Sequence, residues 1–291
     1  MIGWLIGAAS AIFFSASSIL VRIGQRRKHA DDGVLMTVFV NLVVLSIVGL
    51  FVARPSFDLG GLVALVFGGI LGTVFGRSFQ LRSVRLIGPS RASAFITGTP
   101  LVAAIGGWIV LGEELAPLEA VGGILVVAGL LWLVRVRAGA SGSGEKVPLN
   151  SYLVAAGAPV FFGSAFVVRK LGLRYFDSAV LGALIGVAAA FAVLLLIDVV
   201  RGELGRRISK NLRPVPWFFV AAGFTTAMAI LSQFYAFGYL PAWVVGILQG
   251  TQGIWTVVLG YMFLKGDEKI DPPLLIGIGL VVAGVVLIAL Q

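Results

Sequence analysis

The chain has 291 residues, of which 59% are hydrophobic and only 12% charged, with a mean hydropathy of +1.04. An ordinary soluble domain carries about 25% charged residues, and a soluble fold of this length could not bury so much apolar surface, so the composition predicts an integral membrane protein. The net charge of +9 would suggest nucleic acid in a soluble chain; here it is read as the sum of Lys and Arg in cytoplasmic loops, with membrane lipids and no nucleic acid as partners.

Apolar runs of roughly 20 residues, enough to cross a bilayer core about 30 Å thick, recur ten times: 2–22, 33–53, 59–81, 89–111, 117–136, 151–171, 178–200, 216–237, 241–264 and 272–290. Most are apolar all round, without the period-2 alternation of a barrel strand. Pro89, Pro117, Pro216, Pro241 and Pro272 open five of them, which suits a first helical turn whose N–H is unbonded anyway. The first run lacks a basic leader and is too long for a signal peptide, so it reads as a retained helix. The expected fold is all-α, with ten transmembrane helices. The loops leave no room for an extramembrane enzyme domain. Cysteine is absent and His29, the one histidine, sits in a charged stretch. No thiolate or imidazole metal site, catalytic triad or cofactor is therefore expected.

Residues 138–147, rich in Gly and Ser, fall at mid-chain and divide it into a first five-helix repeat (1–137), a linker (138–147) and a second repeat (148–291). The halves echo each other in order. Phe13-Phe14-Ser15 answers Phe161-Phe162-Gly163, Arg22 answers Lys170, and Gly88-Pro89 answers Leu240-Pro241. Gly112-Glu113-Glu114 answers Gly266-Asp267-Glu268, Pro117 answers Pro272, and Leu125-Val126-Val127-Ala128-Gly129 recurs as Leu280-Val281-Val282-Ala283-Gly284. Five spans per half is an odd number, so the second half must be inverted relative to the first. Inverted repeats build alternating-access carriers with a midplane site between the halves.

Two five-helix repeats, each with a Leu-Gly-Glu-like turn before a proline and a Gly-rich last helix, resemble the EamA-type drug/metabolite transporter superfamily. The residues that carry this are Leu111-Gly112-Glu113-Glu114, Pro100 and the run from Gly122 to Gly129. In the second copy, Lys265 interrupts the turn and Gln252 stands in place of the proline. The resemblance implies transport of a small metabolite through a cavity lined by the first four helices of each half.

Basic residues gather in the loops after odd-numbered spans, including Arg26, Arg27, Lys28, Arg82, Arg85, Arg206, Arg207 and Lys210; the other side holds mainly Arg54, Lys170 and Arg174. By the positive-inside rule the odd exits face the cytoplasm and both termini lie on the non-cytoplasmic side of the cell (inner) membrane.

Polar residues inside spans are costly and become site candidates. The strongest pointer is a matched pair of polar, glycine-containing breaks: Thr97-Gly98-Thr99-Pro100 in the fourth span and Gln249-Gly250-Thr251-Gln252 in the ninth. Pro100 removes a backbone donor and frees a carbonyl one turn earlier. Asn41, Gln80, Gln233, Tyr235 and Trp255 are further candidates for a polar-aromatic cavity. Arg77 and Arg91 either snorkel to headgroups or attract a carboxylate or phosphate at the cavity mouth. Phe14 and Phe162 are positioned to gate or pack, together with Gly98, Pro100 and Gly250. Gly68, Gly72 and Gly76 form a small-residue series read as close helix packing. No acid is expected at the bilayer centre, which disfavours a buried-carboxylate proton antiport and a cationic cargo. The expected function is a secondary carrier, a monomer or weak homodimer, that exports or exchanges a small polar or zwitterionic metabolite, an amino acid among the candidates; a lipid flippase is the alternative.

Overall fold

A computed structural model describes residues 1–27, 34–52, 58–87, 92, 95–114, 116–139, 148–176, 178–205, 217–263 and 272–290. The described residues are helical wherever the sequence is apolar. The first two spans are α1 (Ile2–Arg27) and α2 (Val34–Val52). The third is α3 (Leu59–Gly69), a π-helical turn (Ile70–Gly76) and α4 (Arg77–Ile87) in one continuous run. The fourth contains α5 (Thr99–Gly106), which ends in a second π-helical turn (Gly107–Leu111). Then follow α6 (Pro117–Gly139), α7 (Leu149–Leu173), α8 (Ala179–Val200) and α9 (Trp217–Phe237). The ninth span is split into α10 (Ala242–Gly250) and α11 (Gln252–Phe263), and α12 (Pro272–Ala289) is the tenth. Seven of these runs are long and apolar enough to cross a bilayer, and three shorter apolar helices complete the ten.

Local chemistry sets the helix ends. Asp58 accepts the Gly61 N–H at 2.7 Å and Ser178 accepts that of Leu181 at 3.3 Å, satisfying donors that a helix start leaves unbonded. The Glu119 carboxylate accepts the Ala116 N–H at 2.8 Å at the head of α6. Gly112, at φ +66°, stops the second π turn in the left-handed region that glycine tolerates. Large apolar side chains such as Leu50, Phe51, Trp108, Ile109 and Leu196 are exposed, which suits helices whose outer surface meets lipid.

The packing is reciprocal between the halves. α1 lies along α9, and α7 lies along α3 and α4; α2 pairs with α8, α5 with α10 and α6 with α12. Glycines allow the closest crossings. A Cβ on Gly69 would stand 2.1 Å from the Gly186 carbonyl oxygen, so α3 and α8 touch backbone to backbone there. In α6 and α12, Gly122 meets the Gly284 carbonyl and Gly129 that of Gly277. As the partner number rises on one helix it falls on the other, so α6 and α12 run antiparallel. The repeated Leu-Val-Val-Ala-Gly run thus packs against its own copy.

Candidate functional site

A cavity of about 500 Å³ lies where the two halves meet. The second half of α1 contributes Phe14, Ser17, Ser18 and Val21, and the beginning of α2 adds Val34, Thr37 and Asn41. Gly72, Thr73, Arg77 and Gln80 come from the third span; Phe162, Phe166 and Arg169 come from α7; Gln233 comes from α9. Thr99 and Pro100 of α5 meet Gly246, Gln249, Gly250 and Gln252 of the ninth span. The end of α1 and the start of α2 place the cavity towards the face where odd-numbered spans exit.

Both expected helix breaks are present. The fourth span turns at Thr97 and Gly98 before α5 restarts with Pro100 in its first turn, and the ninth turns at Thr251. The Gly98 N–H bonds the Phe95 carbonyl at 2.9 Å, a tight three-residue turn in place of the helical ladder. The Thr251 hydroxyl caps the Leu248 carbonyl at 2.6 Å. The two broken spans cross beside the cavity, where a Cβ on Gly246 would lie 3.4 Å from Pro100 Cα.

Of the residues that the sequence singles out, Asn41, Arg77, Gln80, Thr99, Gln233, Gln249 and Gln252 line the cavity, as do Phe14, Phe162, Pro100 and Gly250. Gln249 donates to Ser10, whose hydroxyl reaches the Ala229 carbonyl at 2.7 Å. Gln252 donates to Ser18 at 3.2 Å while its carbonyl accepts from Ser15 at 2.9 Å. These bonds tie the ninth span to α1. Asn41 is 2% exposed and its amide oxygen has no partner. Thr97, Gly98, Tyr235 and Trp255 are not among the lining residues; Tyr235 is exposed on the outside of α9. Arg91 lies outside the described residues.

Arg169 escaped the sequence reading. It is buried, with Nε donating to the Gly68 carbonyl and Nη1 to the Gln233 side-chain oxygen, both at 3.1 Å, and its guanidinium carbon lies 5.9 Å from the Phe234 ring centre. The glycine series of the third span therefore does more than close a helix interface. A Cβ on Gly68 would stand 2.7 Å from Arg169 Cγ, one on Gly72 2.6 Å from Nη2, and one on Gly76 2.9 Å from the Phe162 ring. The signal lay in the spacing: Phe162, Phe166 and Arg169 fall at i, i+4 and i+7, one face of α7.

A second polar cluster, outside the cavity lining, joins the two halves. Lys170 Nζ meets the Glu113 carboxylate at 2.6 Å and the Leu240 carbonyl at 2.7 Å. The same carboxylate accepts the Ala242 N–H at 3.0 Å at the head of α10, and Arg174 donates to the Leu111 carbonyl. Glu113, which reads from sequence as a loop end, is instead only 8% exposed and bridges the halves.

Apolar helices of membrane-spanning character around a cavity with polar lining, with broken helices at its wall, suit a multi-pass membrane transporter of small molecules. The chain belongs to the EamA-like transporter family, whose model matches residues 1–135 and again 149–290. Over 99 residues, 34% of this chain, it is 32% identical to a protein named multidrug transporter PA4990 from Pseudomonas aeruginosa, 87% of which is covered. A crystal structure of another protein superposes with a TM-score of 0.75 at 21% identity, covering 99% of this chain and 96% of that one, a likeness of fold.

Proposed function

We propose that the protein is a secondary carrier of the cell membrane that moves a small polar metabolite by alternating access, as export or exchange. The observation that carries this reading is the cavity itself, where polar groups from both halves converge on matched helix breaks; the Glu113–Lys170 pair, which joins the halves outside the lining, is read as the closure of one end. Reciprocal packing and the antiparallel crossing of α6 with α12 support two inverted repeats, each able to rock against the other. With the basic loops in the cytoplasm, the cavity faces inward, both termini lie outside, and the Glu113 cluster shuts the outer face.

Among the described residues, no Asp, Glu or His lines the cavity. That disfavours proton antiport through a buried carboxylate and the binding of an organic cation, whatever the named activity of the Pseudomonas relative. Asn41, with its unpaired oxygen, offers an acceptor to a donor on the cargo. Uptake and counterflow of a labelled amino-acid and metabolite panel in proteoliposomes, with and without a proton gradient, tests the reading. Saturable counterflow indifferent to the gradient is expected; absence of flux for every solute would refute a metabolite carrier and turn attention to lipid.

A further inference from the structure

We propose that Arg169 is the anion anchor of this cavity, so that the transported molecule carries a carboxylate; the inference rests on the carrier reading above. A guanidinium has five N–H donors in a planar fork. The bonds that the structure shows use one on Nε and one on Nη1, leaving both on Nη2 and the second on Nη1. Nη2 lies against Gly72, where even a methyl group would stand 2.6 Å away, and both residues line the cavity.

Gly72 is thirteen residues into the third span, roughly 20 Å along a helix at 1.5 Å per residue. The guanidinium therefore sits deep in the bilayer rather than at its edge. A cation there is costly unless it is paired. Its present partners, a carbonyl, an amide and the edge of an aromatic cluster, are all neutral. The cavity supplies no carboxylate among its described lining residues, and the Glu113 carboxylate is engaged by Lys170 at 2.6 Å. A bound carboxylate would supply the missing negative charge and take charge-assisted bonds from Nη1 and Nη2. Gly68 and Gln233, which hold the rest of the fork, fix its plane, so the free donors are oriented before the cargo arrives.

The test begins without assuming a substrate. Proteoliposomes containing the full chain are incubated with a neutralised metabolite extract, and the solutes that accumulate are identified by mass. Accumulated solutes that carry a carboxylate are expected. Matched pairs are then compared: lactate, benzoate and phenylalanine against lactamide, benzamide and phenylalaninamide, with inorganic phosphate as the other anion and ethidium as a cation. Carboxylates should compete for counterflow at least tenfold better than their amides, and better than phosphate. Equal or better competition by amides, phosphate or ethidium would overturn the anchor while leaving a carrier standing; no accumulation of any solute would overturn both.

Arg169→Gln should raise the KM for a carboxylate by about 100-fold, the scale of one or two lost charge-assisted bonds, and reduce the preference over the matched amide. Arg169→Lys should retain part of that preference. If Arg169→Gln does not yield monodisperse protein, Gly72→Ala takes its place, since its methyl group displaces Nη2 while the charge stays. A KM raised at least tenfold for the carboxylate and unchanged for the amide is expected there. Unchanged carboxylate KM in either folded variant refutes the proposal, because a guanidinium that only braces helices would not distinguish the charge of the cargo.

Discussion

Glu113→Gln tests whether the Glu113–Lys170 pair is a gate that shuts one end of the cavity. In the closed arrangement the carboxylate meets Lys170 at 2.6 Å and accepts the Ala242 N–H at 3.0 Å. Both partners are largely buried, with 17% of Lys170 and 8% of Glu113 side-chain surface exposed, so solvent screening is modest. Glutamine keeps an acceptor oxygen and nearly the same shape but loses the charge. A hydrogen bond to a charged group contributes roughly 1.5–3 kcal/mol and a neutral one about 1, and Lys170 retains the Leu240 carbonyl. The closed state should therefore lose about 2 kcal/mol relative to the open one, a shift of roughly 30-fold in their ratio. The natural chain has no cysteine, so a single introduced thiol reports access without a background. Val167, 3% exposed and packed with Leu111 and Ala242 behind the cluster, is the probe for this end; Ser18 is the probe for the cavity. With Glu113→Gln, an impermeant maleimide should label Val167→Cys roughly tenfold or more faster, and Ser18→Cys more slowly. Unchanged rates at both positions would show that the ion pair does not hold this end shut.

Three further outcomes follow from the same packing. Gly69→Ala should destabilise the protein by about 1–3 kcal/mol, the usual cost of overpacking, because the new methyl meets the Gly186 carbonyl oxygen at 2.1 Å; Gly279→Ala, with nothing within 4 Å, should leave the Tm within a degree, and equal Tm values for the two variants would refute the close crossing. Asn41→Leu should raise the Tm while raising the KM, since it removes a buried oxygen without a partner, whose burial costs roughly 1–3 kcal/mol; a lowered Tm would mean that the oxygen is bonded. Counterflow should stay flat from pH 6 to 8, for want of a titratable Asp, Glu or His among the described lining residues; a bell-shaped profile would require such a group in the path.

The ten spans and the two breaks could be read from the chain because they are local. Hydrophobic run length sets the helices, and the Thr97–Pro100 and Gln249–Gln252 segments combine glycine with polar side chains in otherwise apolar runs. The features that escaped depend on distant partners. Arg169 went unremarked beside Lys170 near a span end, and it is its bonds to Gly68 and Gln233 that place it inside. Glu113 looked like half of an acidic turn until Lys170 and Ala242 came to meet it from the other half. Tyr235 shows the effect of spacing: it lies two residues from cavity-lining Gln233, which turns it to the other side of α9, where it is exposed.

The π-helical turn from Ile70 to Gly76 has a geometric consequence. The Arg77 N–H reaches back five residues to the Gly72 carbonyl, so this stretch holds one residue more than an α-helical turn would. The extra residue rotates everything beyond it by about 100° around the helix axis, one step of a 3.6-residue turn. Arg77 and Gln80 thus look into the cavity because of how the chain is wound before them, not solely because of their position in the sequence. Rewinding that turn to regular α-helix would turn the rest of the span, from Arg77 to Ile87, about its own axis and swing both side chains off the wall.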